Sequence, residues 1–166
     1  MYQKGFVMTA STRAPGTVTG DVSARDVFAR LQRAVIALDM EAQADFYAID
    51  GVLEWPFAPA GMPRRVAGRD AIRRLLVPIG ERAQAAGIRR DHYRNLRIHD
   101  TADPEVIVIE FDLEGEVVAS GERYCLSYIQ VLQTRCGEIV SFRDYWNPEA
   151  LAPLLHSAVP NNATAA

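Results

Sequence analysis

Near the C-terminal end of the chain, Val140, Phe142, Asp144 and Trp146 fall two residues apart and so share one face of a strand. A carboxylate held among large apolar side chains is costly unless it is paired or protonated. A carboxyl group in that position is suited to moving protons. The plainer alternative is a carboxylate satisfied by an arginine. A second set of acids lies upstream, where Glu110, Asp112, Glu114 and Glu116 alternate with Ile107, Ile109, Phe111 and Leu113. Alternation alone makes the first set a solvated acidic face and the second an apolar core face. His92 and Arg94, two apart, face the same way. No second His or Cys stands at metal-ligand spacing from His92, so no metal site is expected. The sequence has no serine-hydrolase elbow, phosphate loop or dinucleotide fingerprint. Zinc hydrolysis, nucleotide use and serine-hydrolase chemistry are therefore not expected, and no cofactor is implied.

The elements that must position these residues are legible in the periodicity. Ser23, with Asp26 three residues on, opens a helix whose apolar face is Val27, Phe28, Leu31, Ala34, Val35 and Leu38. A shorter helix is expected from Met40 to Ala48, broken by Asp50-Gly51, with a short strand over Val52 to Phe57. Pro56, Pro59, Gly61 and Pro63 make a loop. A third helix opens at Gly68-Arg69-Asp70 and buries Ile72, Leu75, Leu76 and Ile79; Arg73 and Arg74 face solvent, and Pro78 kinks or ends it. Period two then takes over, with strands at His92–His99, Glu105–Val118, Glu122–Thr134 and Glu138–Trp146. Arg135-Cys136-Gly137 forms a hairpin turn, and a short helix follows at Glu149–Leu155. Helices followed by an antiparallel meander give an α+β fold with the sheet curled over the helices.

The chain has 166 residues, of which 49% are apolar and 23% charged, with 18 Lys plus Arg against 21 Asp plus Glu and a net charge of −3. That length suits one domain. Mild acidity argues against nucleic-acid binding. No apolar run reaches the roughly 18 residues of a membrane span. The N-terminal stretch lacks a secretory signal, so a cytoplasmic location is expected. Residues 1–22 and 157–166 read as flexible tails around a single domain at 23–156, and nothing before Met8 looks structural, which leaves Met8 as an alternative start. Cys136 falls at the hairpin turn, and Cys125 lies about ten residues along the strand, roughly 30 Å away. Both are read as free thiols.

EWPFAP at 54–59, GRDAIRRLL at 68–76 and RDYWNPEAL at 143–151 resemble the SnoaL-like, ketosteroid isomerase-like branch of the nuclear transport factor 2-like superfamily. The resemblance covers about residues 24 to 155. It implies a cone: a curved antiparallel sheet wrapped around three helices, with a deep, mostly apolar central pocket. It also implies a homodimer joined through the sheet. The ketosteroid isomerases carry their base directly before the proline of the first strand. Trp55 stands there, so steroid-type isomerisation is not implied. Arg143-Asp144-Tyr145-Trp146 is similar to the closing string of the limonene-type epoxide hydrolases, and Asp112 matches their second Asp, but Glu110 stands where they have Arg. Asn95 to Ile98, Tyr124-Cys125 and Arg143 to Pro148 are similar to phenazine-pathway proteins. Those carry Glu at the position of Asp144 and His at that of Arg94.

The hydrolase likeness turns Glu110 and Asp112 into the same pocket as Asp144, against simple alternation. Ile107, Ile109, Phe111 and Leu113 then form the outer, dimer-facing surface. On that reading Asp144, Asp112, Glu110 and Arg94 are the catalytic group. Trp55, Phe57, His92, Tyr128, Phe142 and Trp146 contact substrate. The favoured expectation is a cofactor-independent enzyme isomerising, cyclising or dehydrating an apolar, polyketide-like or other natural-product-like molecule. The alternatives are an epoxide hydrolase with Arg94 as electrophile and a non-catalytic, dimeric ligand-binding protein.

Overall fold

The computed structural model describes residues 22–157. The expected tails and the alternative start at Met8 fall almost wholly outside the described residues. Helix α1 spans Ala24–Ile36. It starts as the sequence predicts: the Ser23 hydroxyl accepts from the Asp26 backbone N–H while the Asp26 side chain accepts from that of Ser23. Val27, Phe28, Leu31 and Ala34 are its buried stripe. Helix α2, Met40–Asp45, is capped by Asp39.

Strand β1 runs Tyr47–Glu54, so α2 ends earlier and the strand starts earlier than expected. Asp50-Gly51 does not separate two elements. It lies inside β1 where the register against the last strand shifts. Glycine is required at 51 because an added Cβ would stand 2.7 Å from the Ile139 carbonyl oxygen. The proline loop then returns through β2, Arg65–Ala67, which pairs antiparallel with β1 and was not anticipated.

Helix α3, Arg69–Ala85, runs through Pro78 instead of ending there. Ile72 and Leu76 before the proline are buried, and Val77, Ile79 and Ala83 around and beyond it pack on the core. That burial outweighs one missing backbone hydrogen bond. Gly80 sits directly over the Met40 side chain, where a Cβ would collide. Arg73 is not simply solvated: it ties α3 to α2 by pairing with Asp45 and, at 2.8 Å, with Glu41.

Strands β3 (Ile88–Asp100), β4 (Val106–Val117), β5 (Glu122–Arg135) and β6 (Glu138–Trp146) complete the sheet, and α4 (Pro148–Ser157) follows. The sheet order is β2-β1-β6-β5-β4-β3. Every pairing is antiparallel except β1 with β6, which is parallel. The β5–β6 turn is Cys136-Gly137, with φ of 52° and 77°, the two left-handed residues a tight hairpin needs. Register shifts in β1, β3 and the β5–β6 pair mark where the ladder bends. The result is an open, curved α+β cone with helices against the concave face.

One expectation about the faces is overturned. Ile107, Ile109, Phe111 and Leu113 point into the cone and are nearly fully buried, while Glu110, Asp112, Glu114 and Glu116 lie on the outside. Simple alternation holds. Burying four large apolar side chains is strongly favourable, and turning four carboxylates inward instead would require each to find a partner there.

Candidate active site

A cavity of about 170 Å³ opens in the concave side of the sheet. Leu31, Val35, Leu76 and Ile79 of the helices line one side, and the inner residues of β1 and β3–β6 line the other. Rings form much of the sheet wall. Phe111 and Tyr128 stack with centroids 5.1 Å apart, Tyr93 follows Phe111 at 4.4 Å, and Phe28 closes the row edge-on to Tyr93 at 6.2 Å. Such a lining favours an apolar guest.

Asp144 projects from β6 into this hollow, between Phe142 and Trp146. Protein atoms crowd its carboxyl group, and the residue is half-buried where it lines the cavity. The Gln130 amide donates to Asp144 Oδ1 at 2.9 Å from the neighbouring strand. The Trp55 side chain lies close enough to favour the ionised form as well. Burial pushes the carboxyl pKa up to about 6, and Gln130, the Arg90 charge and Trp55 hold it from going further. Both protonation states are therefore accessible near neutrality. Tyr47, Tyr93 and Tyr128 also line the cavity, and burial together with the nearby Asp144 charge keeps their hydroxyls protonated. They are neutral hydrogen-bond donors around a titrating acid.

Of the residues singled out by sequence, Trp55, Tyr128, Phe142, Asp144 and Trp146 meet in this cavity. The others do not. Glu110 lies outside and pairs with His99 at 3.1 Å. Asp112, also outside, accepts from the Ser127 hydroxyl at 2.6 Å and the Asn95 amide at 2.7 Å, which holds its pKa below the usual range. Arg94 is 63% exposed and pairs with Glu114 at 2.8 Å. His92 bonds the same Glu114 at 3.0 Å. Phe57 is 62% exposed, its ring edge-on to Tyr145. The expected cluster of three carboxylates does not form, and neither Arg94 nor Asp112 can join Asp144 in a hydrolase triad.

The cation in the cavity is Arg90, which periodicity alone does not point to. Counting by twos back from His92 puts Arg90 on the outer face. The register shift between Arg90 and His92 reverses it, so Arg90 turns inward opposite Gly115 while His92 stays out. Periodicity does not point to Gln130 either, although its pairing with Asp144 across β5–β6 follows once the hairpin register is known. Among the described residues no group of three or more His, Cys, Asp or Glu side chains could hold a metal ion.

Fold and site together define a class: a small α+β cone around an apolar pocket with one buried acid. The chain belongs to the SnoaL-like domain family, whose model matches residues 16–142. It is 31% identical over 127 residues to the uncharacterised PhzA/B-like protein PA3332 of Pseudomonas aeruginosa, covering 76% of this chain and 86% of that one. The structure of a proposed isomerase from Bacillus subtilis superposes with a TM-score of 0.69 at 29% identity, over 81% of this chain and 93% of the other. That of a proposed polyketide cyclase from Pseudomonas putida superposes with a TM-score of 0.59 at 19% identity, over 80% and 97%. No described helix is long and apolar enough to cross a membrane.

Proposed function

We propose that this protein is a small enzyme that moves protons on an apolar, natural-product-like molecule, isomerising, cyclising or dehydrating it, with Asp144 as the acid/base group. The observation that carries the reading is the Asp144 carboxyl group, enclosed in an apolar hollow and held at a pKa of about 6 between Gln130 and Trp55. A carboxylate of that basicity removes a proton from carbon next to a carbonyl, and the acid so formed returns one elsewhere on the molecule. The neutral Tyr93 and Tyr128 hydroxyls are suited to stabilising negative charge as it develops on the carbonyl oxygen. All of this is proton transfer, for which side chains suffice. The isomerase and cyclase assignments proposed for structures of the same fold support the same kind of chemistry.

The test is exchange in deuterium oxide. Apolar enones and β-dicarbonyl compounds are incubated with the protein, and loss of the C–H signal next to the carbonyl is followed by NMR. Asp144→Asn is expected to fold and to lose about a hundredfold or more of the exchange rate. Full exchange by folded Asp144→Asn would remove the proposal. Binding of a pocket ligand with no protein-dependent exchange or conversion across the panel would favour a pure binding protein.

The working unit is proposed to be a homodimer joined through the outer face of the sheet. Ile129, 50% exposed, pairs across the ladder with Tyr145, whose ring meets exposed Phe57. The three form an apolar strip on a face otherwise dressed with ion pairs.

A further inference from the structure

Arg90 has an unusual position for a guanidinium. It lines the apolar cavity and is only half-exposed. Nη1 donates to the Val35 carbonyl at the end of α1, at 3.0 Å. Among the described residues no carboxylate lies within ion-pair distance of it. Its neighbours on the same strand differ: Arg89 pairs with Asp91 and Glu116, and Arg94 with Glu114. Arginines elsewhere that lack a carboxylate partner, such as Arg74 and Arg97, are exposed to bulk water. Arg90 has five N–H donors, and one carbonyl accounts for one of them. A charge kept against an apolar wall with donors to spare is suited to receiving an anionic group.

The charged and titratable groups around it are few. Arg90 is close enough to Asp144, Tyr93, Tyr124 and Tyr128 for its charge to act on each. The Tyr124 hydroxyl is committed to the Arg89 carbonyl at 2.9 Å. Asp144 accepts its hydrogen bond from Gln130, and the guanidinium makes none to it. A ligand lying along the Tyr93–Phe111–Tyr128 wall would therefore meet a free cation toward β3 and a tunable acid on β6.

We infer that the pocket selects an apolar ring system bearing one anionic oxygen group, of which a carboxylate is the simplest form, and that Arg90 reads that group. This rests on the cavity being the working site and names the ligand class it takes. In such a complex the anion draws on the Arg90 charge that otherwise steadies ionised Asp144. The Asp144 pKa then rises further, which makes its carboxylate the stronger base for removing a proton.

The experiment is a calorimetric titration of the protein with 2-naphthoate and with 2-naphthamide, a neutral probe of nearly the same shape. The wild-type chain is expected to favour the carboxylate by about tenfold or more. Arg90→Gln should abolish the preference while still binding the amide, and Arg90→Lys, which keeps the charge, should retain part of it. Thermal unfolding of both variants checks that the hold on Val35 has not been lost with the fold. Asp144→Asn, with a nearby negative charge removed, should bind naphthoate more tightly than wild type and the amide unchanged. Equal affinities for the two probes, or a preference that survives in Arg90→Gln, overturns the inference while leaving the proton-transfer reading to its own exchange test. Failure of both probes to bind overturns the inference together with the reading of the cavity as a ligand site.

Discussion

Asp144, the proposed acid/base group, is also a residue that costs the fold stability at neutral pH. Its folded pKa of about 6 lies above the roughly 3.9 of a free Asp. The folded state therefore binds the proton more tightly than the unfolded chain does. The stabilisation from that proton is fully present below about pH 4 and is lost as pH rises through about 6. Asp144→Asn has no such dependence. In urea titrations the stability difference between variant and wild type should grow across that window, leaving the variant more stable at pH 8 by on the order of 2 kcal/mol. Taking the difference cancels the opposite trend of Asp112, Glu114 and Asp100, whose partners lower their pKa values. A pH-independent difference would mean that Asp144 titrates like an exposed carboxylate. The exchange activity should follow the same ionisation, with a single inflection near pH 6 that moves or vanishes in Asp144→Asn.

At the scale of elements, the irregular points of the ladder do the positioning. The shift in β3 turns Arg90 inward, and Gly115 opposite lets β3 and the Tyr124 ring approach, since a Cβ there would collide with the Arg89 carbonyl and the Tyr124 hydroxyl. Gly115→Ala must push β3 away or displace Tyr124. It should cost about 1–3 kcal/mol in chemical unfolding. It should also lower the naphthoate preference more than it lowers amide binding, because Arg90 moves while the apolar lining remains. The shift in β1 at Asp50-Gly51 has a comparable role: it sets Glu54 opposite Arg143 on β6, so that Trp55 follows beside Asp144.

The whole molecule presents two contrasting surfaces of one sheet, a concave apolar one and a convex one laced with ion pairs around an apolar strip. If that strip joins two copies, light scattering should give twice the chain mass, and Ile129→Glu should give monomers without altering the cavity. A monomeric wild type over the micromolar range would retire the dimer. The sequence by itself determined much of this architecture. A capping box at Ser23, a left-handed pair at Cys136-Gly137 and strict alternation in β4 are local signals whose energies are set within a few residues. It also determined that Asp144 shares a face with Phe142 and Trp146. What the tertiary structure alone decided is the company Asp144 keeps. Alternation predicts a face only while the register is unbroken, and one inserted residue reverses everything beyond it. Arg90 therefore entered the cavity unannounced, while Glu110 and Asp112 stayed outside, where the unbroken alternation of β4 puts them. Likewise Pro78 marks a helix end only in isolation; in the folded protein the packing on either side of it exceeds what one backbone hydrogen bond is worth.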